Sequence, residues 1–286
     1  MKPSAFHYEC PTDLPAALAL LAEGGDTRIL AGGQSLVPMM NYRLAAPARL
    51  VDINRLPDLD YVREDGDSVA IGALARHGEI MAAPLVQTHF PIMAEAYSWI
   101  AHAAVRNRGT LCGNLCHCDP ASEMPAIMQL LEGQMVLTKA GGSRTVAAQD
   151  FFTGTYETVT EADEMLTEVR IPKPAAGTGW GFEEVAMRRG DFAWCTVAAT
   201  LRVENGRIAG PRIAIAGVGE CASRLAPQES ALDGQAPGEA LFAEVAAAAA
   251  AGCAATDSPT VSADYRRDLL KATLPRVLAA AVTRAG

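Results

Sequence analysis

Runs of lysine or arginine are missing from this 286-residue sequence, and acidic residues outnumber basic ones by 33 to 24, a formal net charge of −9. That balance argues against nucleic acid and anionic membrane as partners. Long, strongly apolar runs are missing too. Met1 to His7 holds no apolar core of a secretory signal, so a cytoplasmic protein is expected. The most apolar stretch, Val245 to Ala255, is mainly alanine and reads as a helix of a folded protein, with no membrane span expected. There is no disulfide framework. Seven cysteines is an odd number, three of them crowd together and the rest are scattered, which fits a reducing compartment. No Gly-Lys-Ser/Thr follows a glycine turn, which excludes a P-loop, and no G-x-G-x-x-G is present. No Ser-His-Asp set, no carboxylate pair suited to hydrolysis and no ligand set for a [2Fe–2S] cluster or a molybdenum centre can be assembled.

What is present is enough for a full core, since half the residues are apolar, and the length suggests two domains. Thr12 or Asp13 can cap a first helix with Leu14, Ala17, Leu18 and Leu21 on one face, ended by Gly24-Gly25. Arg28 to Leu30 reads as a short buried strand and Leu50 to Ile53 as an alternating one. Tyr61-Val62 and Ser68 to Ile71 read as strands joined by an Asp65-Gly66 turn. Helices are expected at His77 to Ala83, Ile92 to His102 and Ala121 to Leu131, and strands at Gln134 to Lys139, Arg144 to Val146 and Met165 to Ile171. Pro172 to Gly177 is the best linker. Beyond it, Phe182 to Arg188, Cys195 to Val203 and Arg207 to Ala216 form three strand candidates, the last two joined by Asn205-Gly206. Two helices close the chain, the last with Leu270, Leu274, Val277, Leu278 and Ala281 on one face. The expected fold class is α+β. A first domain spans 1–176, with α/β lobes at about 1–56 and 57–176. A smaller domain at 177–286 pairs a three-stranded antiparallel sheet with helices.

Two glycine stretches carry the chemistry. Ala31-Gly32-Gly33-Gln34-Ser35-Leu36 follows a strand, and Ser35 is a plausible helix N-cap. Strand, double glycine and helix start gather backbone N–H groups that suit an anion, phosphate above all, although an ordinary tight turn has the same sequence. The second stretch is Arg106-Asn107-Arg108-Gly109-Thr110-Leu111-Cys112-Gly113-Asn114, followed by Asp119-Pro120-Ala121-Ser122-Glu123-Met124-Pro125. Together these resemble the FAD-binding medium subunit of molybdenum hydroxylases, the carbon monoxide dehydrogenase and xanthine dehydrogenase family. That family carries A-G-G-x-S-L, then R-N-x-G-T-[IVL]-G-G-N/S, then D-P-A-x-E-x-P. Met165 to Pro172, Arg188-Arg189-Gly190-Asp191-Phe192-Ala193 and Tyr265-Arg266-Arg267-Asp268-Leu269-Leu270 match as well, so the resemblance covers nearly the whole chain in order.

The resemblance implies a PCMH-type FAD-binding domain, with FAD between its two lobes and the C-terminal domain. Its diphosphate would contact Ala31 to Leu36 and Asn107, Thr110, Gly113 and Asn114. Cys112 stands where the family has glycine, which leaves the backbone angles of that loop open. Alone, Glu123 reads as a solvated helix-start carboxylate; the resemblance implies contact with ribityl or ribose hydroxyls. It also implies flavin contacts for Leu166, a strand-core residue by itself, and for Asp191 and Phe192, the aromatic one shielding a ring face. Gln34 offers no nucleophile where a related class has a flavin-linked histidine, so attachment should be non-covalent. The run Cys112, Cys116, His117, Cys118 matches neither a zinc finger nor a ferredoxin spacing, and the inserted loop that holds a cluster in some relatives is absent; no metal is expected. The implied role is an electron-transfer oxidoreductase subunit. Its partners would be a large subunit with the molybdenum cofactor and a small one with [2Fe–2S] clusters, as a heterotrimer or its dimer. The competitors are a self-sufficient flavin oxidase of the PCMH class and a Cys/His metal-binding module.

Overall fold

The computed structural model describes all 286 residues. The first lobe comprises β1 (His7–Glu9), α1 (Leu14–Ala22), β2 (Thr27–Leu30), α2 (Leu36–Asn41) and β3 (Arg49–Asp52), with the strands parallel in the order β1-β3-β2. Asp13 caps α1 by accepting the Ala16 N–H at 2.8 Å. Ala17, Leu18 and Leu21 are buried as their spacing requires. The strand at Arg28 to Leu30 is not buried: β2 is an edge strand, with Arg28 exposed and its neighbours half-covered. Leu50, Val51 and Ile53 are all buried instead of alternating, because β3 is the central strand of a parallel sheet.

The second lobe opens with the hairpin β4 (Val62–Asp65) and β5 (Ser68–Gly72). Six helices follow: α3 (His77–Ala82), α4 (Pro84–His89), α5 (Pro91–Tyr97), α6 (Ala103–Arg106), α7 (Leu111–His117) and α8 (Glu123–Leu130). Then come β6 (Gln134–Lys139), β7 (Gly142–Ala147), α9 (Ala148–Phe151), the small pair β8 (Phe152–Gly154) and β9 (Glu157–Thr158), and β10 (Met165–Pro172). The five-stranded antiparallel sheet has the order β4-β5-β10-β6-β7. The helix expected over Ile92 to His102 stops at Tyr97, and Ala101 has φ of 42°. A non-glycine residue in that region breaks helical geometry, so Ala103 starts a new helix. Proline at the first position starts α4 and α5 separately.

The C-terminal domain contains β11 (Gly179–Ala186), β12 (Ala193–Glu204), β13 (Arg207–Ala216) and β14 (Ser223–Arg224), then α10 (Ala226–Leu232), α11 (Glu239–Gly252) and α12 (Ala263–Arg284). Asn205 and Gly206 both have positive φ, 52° and 73°, as a two-residue hairpin turn demands. The sheet has a fourth, two-residue strand and the chain closes with three helices, one more of each than expected. No helix is long and apolar enough to cross a membrane.

This sheet is a wall between two cores. Ala198, Ala214 and Ala216 face the core of the first domain, while Val197, Leu201, Ile213 and Ile215 face the domain's own helices, the alternation a two-sided sheet imposes. Leu274, fully buried, anchors α12 there. Leu274→Ala should cost about 2–5 kcal/mol. In urea unfolding followed by circular dichroism, the midpoint should drop with the slope unchanged.

Candidate functional site

A cleft of about 1210 Å³ runs between the two lobes and reaches the β11–β12 hairpin. The first glycine stretch forms one wall. Gly33 has φ of 70°, which turns the chain from β2 into α2. At Gly32 the need is different: a Cβ there would lie 2.3 Å from the Arg108 carbonyl oxygen, so this glycine lets the two stretches touch. The backbone N–H groups of Gly32, Gly33, Gln34 and Ser35 donate to nothing within the chain, and all four residues line the cleft. Ser35 stands at the N-cap position without a capping hydrogen bond, which leaves its hydroxyl free. The Gln34 side chain folds back to donate to the Gly32 carbonyl at 3.2 Å.

The second stretch is a helix start and not the glycine loop expected. Thr110 caps α7, its Oγ1 accepting the Gly113 N–H at 3.1 Å. Cys112 is thus a buried first-turn residue, and helical backbone there accepts a side chain where the family pattern has glycine. Asn114 Nδ2 donates to Ser122 Oγ at 2.9 Å, which ties α7 to the start of α8. Glu123 at that start lines the cleft but is only 7 % exposed, so the solvated reading fails. Burial first, then the charges of Glu184 and Asp119, push its carboxyl well above the usual range.

A polar chain binds the two stretches. Asn54 Nδ2 donates to the Ala31 carbonyl at 2.9 Å, and Asn54 Oδ1 accepts from Arg76 Nη2 at 2.7 Å. Arg76 Nη1 donates to the Arg108 carbonyl at 2.7 Å.

Leu166, buried on β10 beside a register shift at Leu166/Glu168, contributes to the cleft lining. Gly190, Asp191 and Phe192 line the mouth on the β11–β12 hairpin, with Phe192 71 % exposed and Asp191 held by Arg188 Nε at 3.0 Å. Arg189 clasps this hairpin to the first domain: it donates to the Ser98 carbonyl and hydroxyl and lies 5.0 Å from the Trp99 ring centre. Of the expected site residues, the structure leaves Asn107 outside the cleft. It ends α6, exposed, with its side chain turned toward Gly78 on α3.

Sequence reasoning missed other lining residues. His77 is buried beneath Gly109, and burial lowers its imidazole to about 4, so it is neutral. Asp119 accepts from the Tyr156 hydroxyl at 3.3 Å, and Tyr156 stacks on His117 with ring centres 5.0 Å apart. Asp119 was findable from its D-P-A context; a tyrosine reached by a loop was not. Cys112 and Cys118 are buried while Cys116 opens to the cleft, and no group of three or more His, Cys, Asp or Glu side chains is arranged to hold a metal ion.

Arg76→Ala removes both of its links to the glycine stretches, about 1–3 kcal/mol of local stability. Hydrogen exchange should quicken at the amides of residues 31–36 and 108–112, with little change in the C-terminal sheet.

The family model described as the FAD binding domain in molybdopterin dehydrogenase matches residues 4–174, and that of the CO dehydrogenase flavoprotein C-terminal domain matches 180–281. The chain is 40% identical over 286 residues to the caffeine dehydrogenase subunit beta of Pseudomonas sp. (strain CBB1), covering 99% of this chain and 97% of that one. It is 39% identical over 285 residues to the carbon monoxide dehydrogenase medium chain of Hydrogenophaga pseudoflava, covering 99% of each. Among solved structures, a carbon monoxide dehydrogenase of Hydrogenophaga pseudoflava superposes with a TM-score of 0.97 at 40% identity over 100% of both chains. Quinoline 2-oxidoreductase of Pseudomonas putida 86 gives 0.95 at 38%, covering 100% of this chain and 99% of that one.

Proposed function

The chain belongs to the family of FAD-binding medium subunits of molybdenum hydroxylases, and on that premise we propose that it is the electron-transfer subunit of such a complex. It would take electrons from the [2Fe–2S] clusters of a small subunit, themselves fed by a molybdenum centre on a large subunit, and pass them to an external acceptor. Seven unpaired cysteines suit work in a reducing cytoplasm. Relatives named for caffeine and for carbon monoxide match at nearly equal identity over the whole length, which supports substrate choice on another subunit.

The observation that carries the FAD reading is the row of unpartnered amides on Gly32 to Ser35 at the cleft wall. They offer a diphosphate donors already in place, with the Ser35 hydroxyl beside them. Ala31 and Leu36 flank that row. Thr110, Gly113 and Asn114 set the facing helix start, and Cys112 adds an amide without an acceptor in the chain. Glu123 accepts from sugar or ribityl hydroxyls. Leu166 and Phe192 bound the space for the ring, and Asp191 holds the hairpin that carries Phe192. Asn107 has no contact role in this arrangement. When bound, FAD supplies the redox chemistry, while the chain binds, orients and screens it. With Gln34 as the loop side chain, attachment is non-covalent, and the cysteine run holds no metal.

Two measurements check this reading. Gly33→Val places a branched side chain at positive φ, where its Cβ also meets Val37 and Leu30 at 3.2 and 3.3 Å. Titration of the apo chain should show FAD affinity weakened at least about tenfold, roughly 1.4 kcal/mol, with circular dichroism unchanged and Ser35→Ala less affected. Acid precipitation should release all the flavin. Separately, a tagged chain expressed in its host should retain two partner proteins, one with molybdenum and one with iron. Full substrate turnover by the lone chain would overturn the subunit reading.

A further inference from the structure

β10 is the central strand of the five-stranded sheet, yet its ladder to β6 is broken. Leu166 pairs with Leu137 and Glu168 with Val136, so Thr167 stands between them with no partner on β6. Such β-bulges gather at sheet edges and beside functional sites, where they re-aim the chain. In a central strand the bulge interrupts a ladder that would otherwise run on, so its position calls for a reason. The cleft supplies one. β5 pairs with β10 only as far as Gly72 opposite Glu168, so Met165 and Leu166 have a strand beside them on one side alone. Both line the cleft, although consecutive strand residues point to opposite faces. The strand therefore meets the cleft with its end, main chain included.

The Thr167 side chain holds the bulge. It is 7 % exposed, and its hydroxyl donates to the Val136 carbonyl at 3.2 Å. The Thr138 hydroxyl lies 2.8 Å from it; with the Thr167 proton committed to Val136, Thr138 is the donor. Thr138 stands opposite Met165, so this bond reaches across the break in the ladder. On the other side the Thr167 carbonyl accepts the Ala73 N–H at 3.0 Å. Beyond the bulge, Glu168 is fixed by the Tyr61 hydroxyl and Arg170 Nε, each at 2.5 Å. The strand is thus anchored on the far side of the bulge, and the Thr167 hydroxyl sets how its first two residues stand.

We propose that Thr167 is a positioning residue: its hydroxyl holds the bulge that turns the Met165–Leu166 main chain toward the flavin ring of bound FAD. This inference rests on the reading of the cleft as the FAD site, and it gives Thr167 no contact with the cofactor. The polar edge of a flavin changes its hydrogen-bonding groups on reduction, so a main chain aimed at that edge holds the two redox forms unequally. A slack bulge then moves both the affinity and the midpoint potential. Thr167→Val removes the hydroxyl and keeps the branched shape, whereas Thr167→Ser keeps the hydroxyl. Thr138→Val cuts the same link from β6 and leaves β10 unaltered.

The experiment is FAD titration of the full-length apo chain, then redox titration of the loaded chain, for wild type and the three variants, with circular dichroism as the folding control. Thr167→Val should bind FAD about tenfold more weakly and show a shifted midpoint potential. Thr138→Val should move both in the same direction by less, and adding it to Thr167→Val should change nothing further, because the two hydroxyls act as one link. Thr167→Ser should match wild type in both measurements. A folded Thr167→Val with wild-type affinity and potential would overturn the proposal. So would weaker affinity at an unshifted potential, which marks a structural role alone, or a Thr167→Ser that behaves as Thr167→Val does. Where Thr167→Val does not fold, an unmoved potential in Thr138→Val decides against the proposal in the same way. Each of these results leaves the FAD site standing. Absence of FAD binding by folded wild type would instead sink the site itself.

Discussion

The contact that everything else at the site depends on is the one between two backbone turns, at Gly32 and Arg108. The absence of a side chain at Gly32 lets them touch, and Arg76 with Asn54 locks the touch through three hydrogen bonds of 2.7 to 2.9 Å. Asn54 is itself held, since Asp52 accepts from both its side chain and the Tyr8 hydroxyl. The parallel sheet of the first lobe is thereby keyed to the helix start of the second. Without that registry each turn would still form, but their free amides would not line one cleft. Preorganisation of this kind spares a ligand the cost of ordering the loops.

The second constraint is the C-terminal sheet, buried on both faces. Alanine on one face lets α8 come close, and larger branched residues fill the space beneath α11 and α12. Gln129 on α8 donates to the Ala222 carbonyl at 2.6 Å, and the Gly217 N–H donates to the Pro120 carbonyl at 2.7 Å. The D-P-A segment and Glu123 are therefore set by both domains.

Local signals were legible in the sequence. Asn205-Gly206 specified its turn, the stripe on the last helix specified its buried face, and the double glycine announced a special backbone. Signals that depend on distant chain were not. Thr110 to Asn114 reads as loop because threonine and asparagine favour turns, yet Thr110 uses that same chemistry to cap a helix. Asn107 sits inside the matched motif but faces α3, since motif spacing does not fix the direction of a side chain. The burial of Glu184 had no sequence signal at all: Glu183 beside it is paired with Arg276 on α12, whereas Glu184 lies on the opposite face of the strand, and α5 of the first domain also packs against β11.

The Arg189 clasp has one more consequence. The cleft takes its floor and walls from one domain and its mouth, with Phe192, from a hairpin of the other. A molecule held there is gripped by both, so its binding free energy becomes mechanical coupling between them. An empty chain is joined across its domains by the sheet-to-helix seam, the Arg189 clasp and the ion pair of Arg212 with Glu132. A molecule bound in the cleft adds to that joint as a rivet would, because whatever binds only the folded state opposes the parting of the two halves.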